Sequence, residues 1–276
     1  MKLRPIGEAH SIDEFLLAVR IVRPVSDSLF AKCRAQLRDA AIKADMPATH
    51  PYGAVQIPVQ PGLPEYEVMV PAQPAPSGVA FQRYTKLGTV EEEIRLEPAM
   101  ISYRTTTYRR WADVEGLLER ILFPVLREYL VEVPSVLALV LQYVDRFFAN
   151  EPGDQDCSEL FLKGSPWIVT SLVAKQTLWH SHCGVFEDVK GANRRLINVN
   201  VDVSDQPPPG SDTALRSVAI LTLCSDQFTD ASQLVDPERF SSEARARFQA
   251  LHNRSKDLLA EVLSKPYQER ISLAAE

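Results

Sequence analysis

Between Ser135 and Phe148 the chain reads SVLALVLQYVDRFF, with apolar side chains at both odd and even positions over much of its length. Successive strand residues face opposite ways, so a run that is apolar in both registers predicts a strand covered on both faces within a sheet. Upstream, Phe15, Leu17, Val19 and Ile21 alternate with Glu14, Leu16, Ala18 and Arg20, the period expected of a strand with one face on a core. Ser26 or Asp27 can cap the next segment, where Leu29, Phe30, Cys33, Leu37 and Ala40 or Ala41 recur at helical spacing to about Ala44. Val79–Tyr84, Glu91–Leu96 and Ile101–Tyr108 are short β-branched and aromatic segments split by Lys86-Leu87-Gly88 and Glu97-Pro98, which fits an antiparallel meander. A long helix follows, its stripe running through Trp111, Val114, Leu117, Leu118, Ile121, Leu122, Val125 and Tyr129, with Pro124 predicting a kink.

Downstream, Asn150-Glu151-Pro152-Gly153-Asp154 is a polar, turn-rich boundary after which the strand pattern restarts. Strands are predicted near Trp167–Val173, Lys175–Phe186, Arg195–Val203 and Arg216–Ser225. Asp236-Pro237 signals a final helix with the stripe Phe240, Ala244, Phe248, Leu251, Leu258 and Val262, ended by Pro266. The fold class read from this order is α+β, an antiparallel sheet packed by long helices. Residues 1–150 and 151–276 form two halves of one compact unit, and whether they are a structural repeat stays open. Phe15, Leu17, Val19, Ile21, Leu118, Ile121, Val140 and Leu258 are expected in the core.

Pro47 to Pro76 holds eight prolines. Each removes a backbone donor, so an extended, exposed excursion is expected, with edge strands around Val55–Val59 and Tyr66–Val70 and a role in partner contact. The Pro207–Pro209 loop is a second such segment.

The 276 residues carry 30 Lys and Arg against 36 Asp and Glu, a formal charge of −6, which argues against a non-specific duplex binder needing a dominant cationic face. Cys33, Cys157, Cys183 and Cys224 are widely spaced, without C-x-x-C or a compact disulfide framework, so a reducing cytoplasm is the expected location. The start lacks the apolar core of a secretory signal, and the longest apolar run, Val136–Leu141, is too short to span a bilayer, so no membrane partner is expected.

His180 and His182 lie two apart on a predicted strand, and Asp202 shares a face with Asn198 and Asn200 on the next one. If those faces adjoin, the three supply two imidazoles and a carboxylate to one divalent metal, the only cofactor the sequence suggests. The competing reading is a solvated polar sheet face. Tyr108, Arg109 and Arg110, just ahead of Trp111, are the candidates for ligand or partner binding: an aromatic platform with positive charge. Asp145-Arg146 reads as a paired charge at a sheet end, and His252, beside the apolar stripe, as a surface histidine. Walker loops, a dinucleotide glycine fingerprint, G-x-S-x-G, H-E-x-x-H and paired-cysteine zinc motifs are absent.

Three stretches together carry a resemblance: DEFLLAVRI at Asp13–Ile21, YRRW at Tyr108–Trp111 leading to LQYVDRF at Leu141–Phe147, and Leu251-His252 with Lys256 and Leu258-Leu259. This pattern resembles a sporadically distributed family of bacterial proteins of about 250 residues. Its usual leucine-arginine-tyrosine-isoleucine-asparagine strand is altered here to Gln142 and Asp145. The resemblance implies no activity. The family's patchy distribution resembles that of defence and toxin–antitoxin genes. The expectation is therefore a non-catalytic cytoplasmic protein that binds a protein partner, as a component of a phage-defence or toxin–antitoxin-like system. The alternatives are a small-ligand binder using a concave sheet face and a metal-dependent hydrolase using His180, His182 and Asp202.

Overall fold

In the computed structural model, which describes residues 1–7, 10–52, 78–228 and 237–273, the apolar run forms β7 (Val136–Ala149), hydrogen-bonded on both sides. It pairs antiparallel with β2 (Ile12–Ile21) on one side and β10 (Leu215–Gln227) on the other. Beyond β2 lie β6 (Met100–Thr105), β5 (Val90–Glu97), β4 (Gly78–Tyr84) and β3 (Ala48–Tyr52). Beyond β10 lie β9 (Arg194–Gln206) and β8 (Trp179–Glu187), and β1 (Leu3–Pro5) adds to the end of β7. The result is an open antiparallel sheet of ten strands in an α+β fold. Strands from both sides of Asn150 share it.

α1 (Asp27–Lys43) starts where Ser26 Oγ accepts from the Leu29 amide. Ser26 also donates from its amide and hydroxyl to Glu132 at 2.6 and 2.7 Å, holding that carboxyl below its ordinary value. The helix after Trp111 is interrupted. α2 (Trp111–Leu117) passes through a π-helical turn, Leu118–Leu122, into α3 (Phe123–Glu132). Pro124 brings no amide and its ring would press on the carbonyl four residues earlier, so the chain widens by one residue just ahead of it. α4 (Thr170–Val173) is a single turn, α5 (Pro237–Val262) the long C-terminal helix, and α6 (Lys265–Arg270) follows it.

Phe15, Leu17, Val19, Ile21, Leu118, Ile121 and Leu258 are buried as expected. Val140 is only half-buried, and so are Gln142, Val144 and Arg146 on the same face. The prediction of cover on both sides of β7 is therefore corrected: the face carrying Leu139, Leu141, Tyr143, Asp145 and Phe147 is buried, and its opposite is partly open. Trp167–Val173 is not a strand. Trp167 and Ile168 are buried from a loop that ends in α4, because a short apolar run signals burial without specifying a period. Pro266 does not end α5 but sits in the first turn of α6, where its missing amide costs nothing.

Within Pro47–Pro76, Ala48–Tyr52 is an edge strand on β4. The expected strands at Val55–Val59 and Tyr66–Val70, and the Asp236 cap, lie outside the described residues. No helix among the described residues is long and apolar enough to cross a membrane.

Candidate ligand-binding site

A β-bulge near the start of β2 shapes the site. Ile12 lies opposite Asp145 and Glu14 opposite Val144, so Asp13 is an extra residue on its strand. Bulges bend a strand and re-aim its side chains. Here Ser11 Oγ donates to Asp145 Oδ1 at 2.6 Å on one face, while Asp13 takes a 2.6 Å bond from Arg146 Nε. Asp145 and Arg146 are therefore not partners, as their adjacency suggested. Strand alternation sends them to opposite faces and each finds its own contact.

Tyr143, Asp145 and Thr222 lie on the buried face, Tyr143 directly opposite Thr222 in the ladder. Above them α5 presents His252 and Ser255. His252 is 6% exposed, so its reading as a surface residue is overturned. It follows Phe248 by four and precedes Leu259 by seven, which puts it on the sheet-facing side of a stripe about 100° wide. His252 Nδ1 shares a 2.8 Å hydrogen bond with Tyr143 Oη, and its ring stacks on Trp111 with centroids 4.7 Å apart and planes 5° from parallel. Ser255 Oγ donates to Cys224 Sγ. Further along, Arg195 and Arg247 both reach Asp226, a wholly buried carboxylate that ties α5 to β9 and β10.

Tyr143, Asp145, Thr222, His252 and Ser255 line a cavity of about 270 Å³. Asp145, 2% exposed, stands at its wall, and burial pushes its carboxyl up to about 7, with Asp13 adding to the rise against the Ser11 hydrogen bond. Ile12, Leu259, Ile271 and Leu273 make the apolar part of the lining. Tyr108 is buried and packs against Phe15, Tyr143 and His10, with ring centroids 5.3, 5.7 and 6.1 Å away. Arg109 and Arg110 are exposed, Arg110 pairing with Asp113 at 3.0 Å. Tyr108, Arg109 and Arg110 also line a second, larger cleft of about 970 Å³ that reaches α1, β5 and α2, where Arg83 is paired with Glu91 and Glu92. The three residues singled out from the sequence thus stand together between two concavities.

His252, Tyr143, Asp145, Ser11 and Thr222 were missed as site residues. A signal was present: Tyr143 and Asp145 interrupt the Leu141-to-Phe147 face at period two, and His252 falls at helical spacing from Phe248 and Leu259. Its meaning depended on which strand α5 covers.

His180, His182 and Asp202 do share one face. His180 lies directly opposite Asp202, His182 opposite Asn200, and the two imidazole centroids are 5.5 Å apart. All three are exposed. Among the described residues no group of three His, Cys, Asp or Glu side chains is arranged to hold a metal ion. The pair of strands supplies the donors on one surface without bringing them to a common point.

No protein-family model matches the chain, and a search of curated proteins returned no match.

Proposed function

We propose that the protein binds a small molecule in the cavity between β2, β7, β10 and α5, without changing it covalently. The observation carrying this reading is the convergence of Asp145, Tyr143 and His252, all buried, on one space that Ile12, Leu259, Ile271 and Leu273 line beside them. Polar groups are costly to bury, and a few of them in an apolar concavity is the composition that orients a bound ligand. This reading takes up the alternative of a small-ligand binder using a concave sheet face, and assigns that role to the face α5 covers. The test is ligand-observed NMR of the full chain with one- and two-ring neutral compounds, indole first, beside Leu273→Trp, which fills the cavity. Binding in the wild type and its loss in the variant is expected. Absence of binding at millimolar indole, or equal binding by a folded Leu273→Trp, refutes it.

The protein-partner reading keeps a separate support, in which the partner is an extended segment of a defence-system protein. β8 is the last strand of the sheet among the described residues, carries neither Lys nor Pro, and has Leu178, Val185 and Phe186 exposed by 55%, 40% and 55% at or beside it. Such an edge is a template for an added strand. Capture of a neighbouring gene product should fall in Val185→Lys, and unchanged capture counts against this edge.

A further inference from the structure

The ligand-binding reading leaves the class of ligand open, and the cavity narrows it. A cavity of about 150 Å³ holds one benzene ring, so about 270 Å³ has room for a ring with a short substituent, or for two fused rings. Tyr108 and Tyr143 line it with ring planes 82° apart, so a flat ring meets one by its edge and the other by its face. Leu259 and Ile271 complete the apolar wall.

Among the described lining residues the charged side chains at the mouth are cations: Arg109 and Arg110 from the turn before α2, Arg110 also held by Asp113, and Lys256 from α5. Arg109 is exposed and makes no ion pair among the described residues. Among the described lining residues the only carboxyl is Asp145, buried in the wall. Positive groups around an opening in a low-dielectric wall draw anions in and turn cations away, and the guanidinium fork matches a carboxylate. On the inner wall, Asp145 and Thr222 offer hydrogen-bonding groups to a ring hydroxyl or N–H.

We infer that the cavity takes a small aromatic acid of one ring or two fused rings, its carboxylate at Arg109 and Arg110 and its ring N–H or hydroxyl at Asp145. This rests on the cavity being a ligand site at all, and neutral indole tests that premise by itself.

The experiment is isothermal titration of the full chain with indole, indole-3-acetate, tryptamine and octanoate, repeated on the Arg109→Ala/Arg110→Ala double variant and on Leu273→Trp, with thermal unfolding to verify that each variant is folded. Indole-3-acetate is expected to bind at least about tenfold tighter than indole, the return expected of a charge-assisted hydrogen bond. Tryptamine and octanoate are expected to bind more weakly than the acid. The double variant should bring the acid to the affinity of indole while leaving indole unchanged. If the acid binds no tighter than indole, if the double variant has no effect, or if tryptamine or octanoate matches the acid, the ligand class is wrong while indole binding keeps the cavity as a site. If indole does not bind the wild type, or if binding survives in Leu273→Trp, the cavity reading falls and this inference with it.

Discussion

Replacing Asp145 by Asn changes how stability depends on pH in a way that isolates one buried carboxyl. In the native protein its proton is held up to about pH 7, because the ionised form would sit wholly buried and near Asp13, which outweighs the Ser11 Oγ hydrogen bond that favours ionisation. In the unfolded chain an aspartate loses its proton near pH 3.9. Below that value both states are protonated and the group makes no difference. Above it the unfolded chain releases a proton that the native protein keeps, so stability falls as pH rises, by about 1.4 kcal/mol per pH unit, until the native carboxyl ionises as well. Between pH 5 and pH 8 that is about 3 kcal/mol lost through this residue. Asn keeps the shape and the acceptor for Ser11 Oγ but cannot ionise. Other groups, such as Asp156 held down to about 2 by Lys2 and Ser158, titrate alike in both proteins and cancel in the comparison. Urea unfolding followed by circular dichroism at pH 5, 6, 7 and 8 measures the effect. The wild type should lose about 3 kcal/mol more than Asp145→Asn across that range. Parallel pH profiles for the two proteins would refute the reasoning.

Asp226 is wholly buried between Arg195 and Arg247, so Asp226→Ala strands two guanidinium groups and should cost about 3–5 kcal/mol of unfolding free energy. A loss under about 1 kcal/mol would mean the pair is solvated in solution. Leu118→Ala, in the π-helical turn at 1% exposure, should cost about 2–5 kcal/mol by lost transfer energy and a residual cavity, again read from urea midpoints. The proposal of a divalent ion at His180, His182 and Asp202 demands that zinc retained after dialysis fall in His182→Ala. Equal zinc content in variant and wild type removes it.

The sequence by itself determined the elements whose side chains repeat at one clear period. Phe15 to Ile21 alternates and is β2, the meander is β4 to β6, and the cap at Ser26 begins α1. It also put Tyr108, Arg109 and Arg110 together and put His180, His182 and Asp202 on one face, since both follow from local spacing. Only the tertiary structure decided which face of β7 is covered, because Val140 and Leu141 are equally apolar and burial depends on where the helices lie. The same choice decided the site. His252 is an ordinary helix residue until α5 is laid over Tyr143, and Asp145 is an ordinary strand-end carboxylate until the Asp13 bulge brings Ser11 against it. Residues 11, 145 and 252 are joined by strand register and by the docking of a distant helix, and neither long-range contact leaves a periodic trace in a single chain.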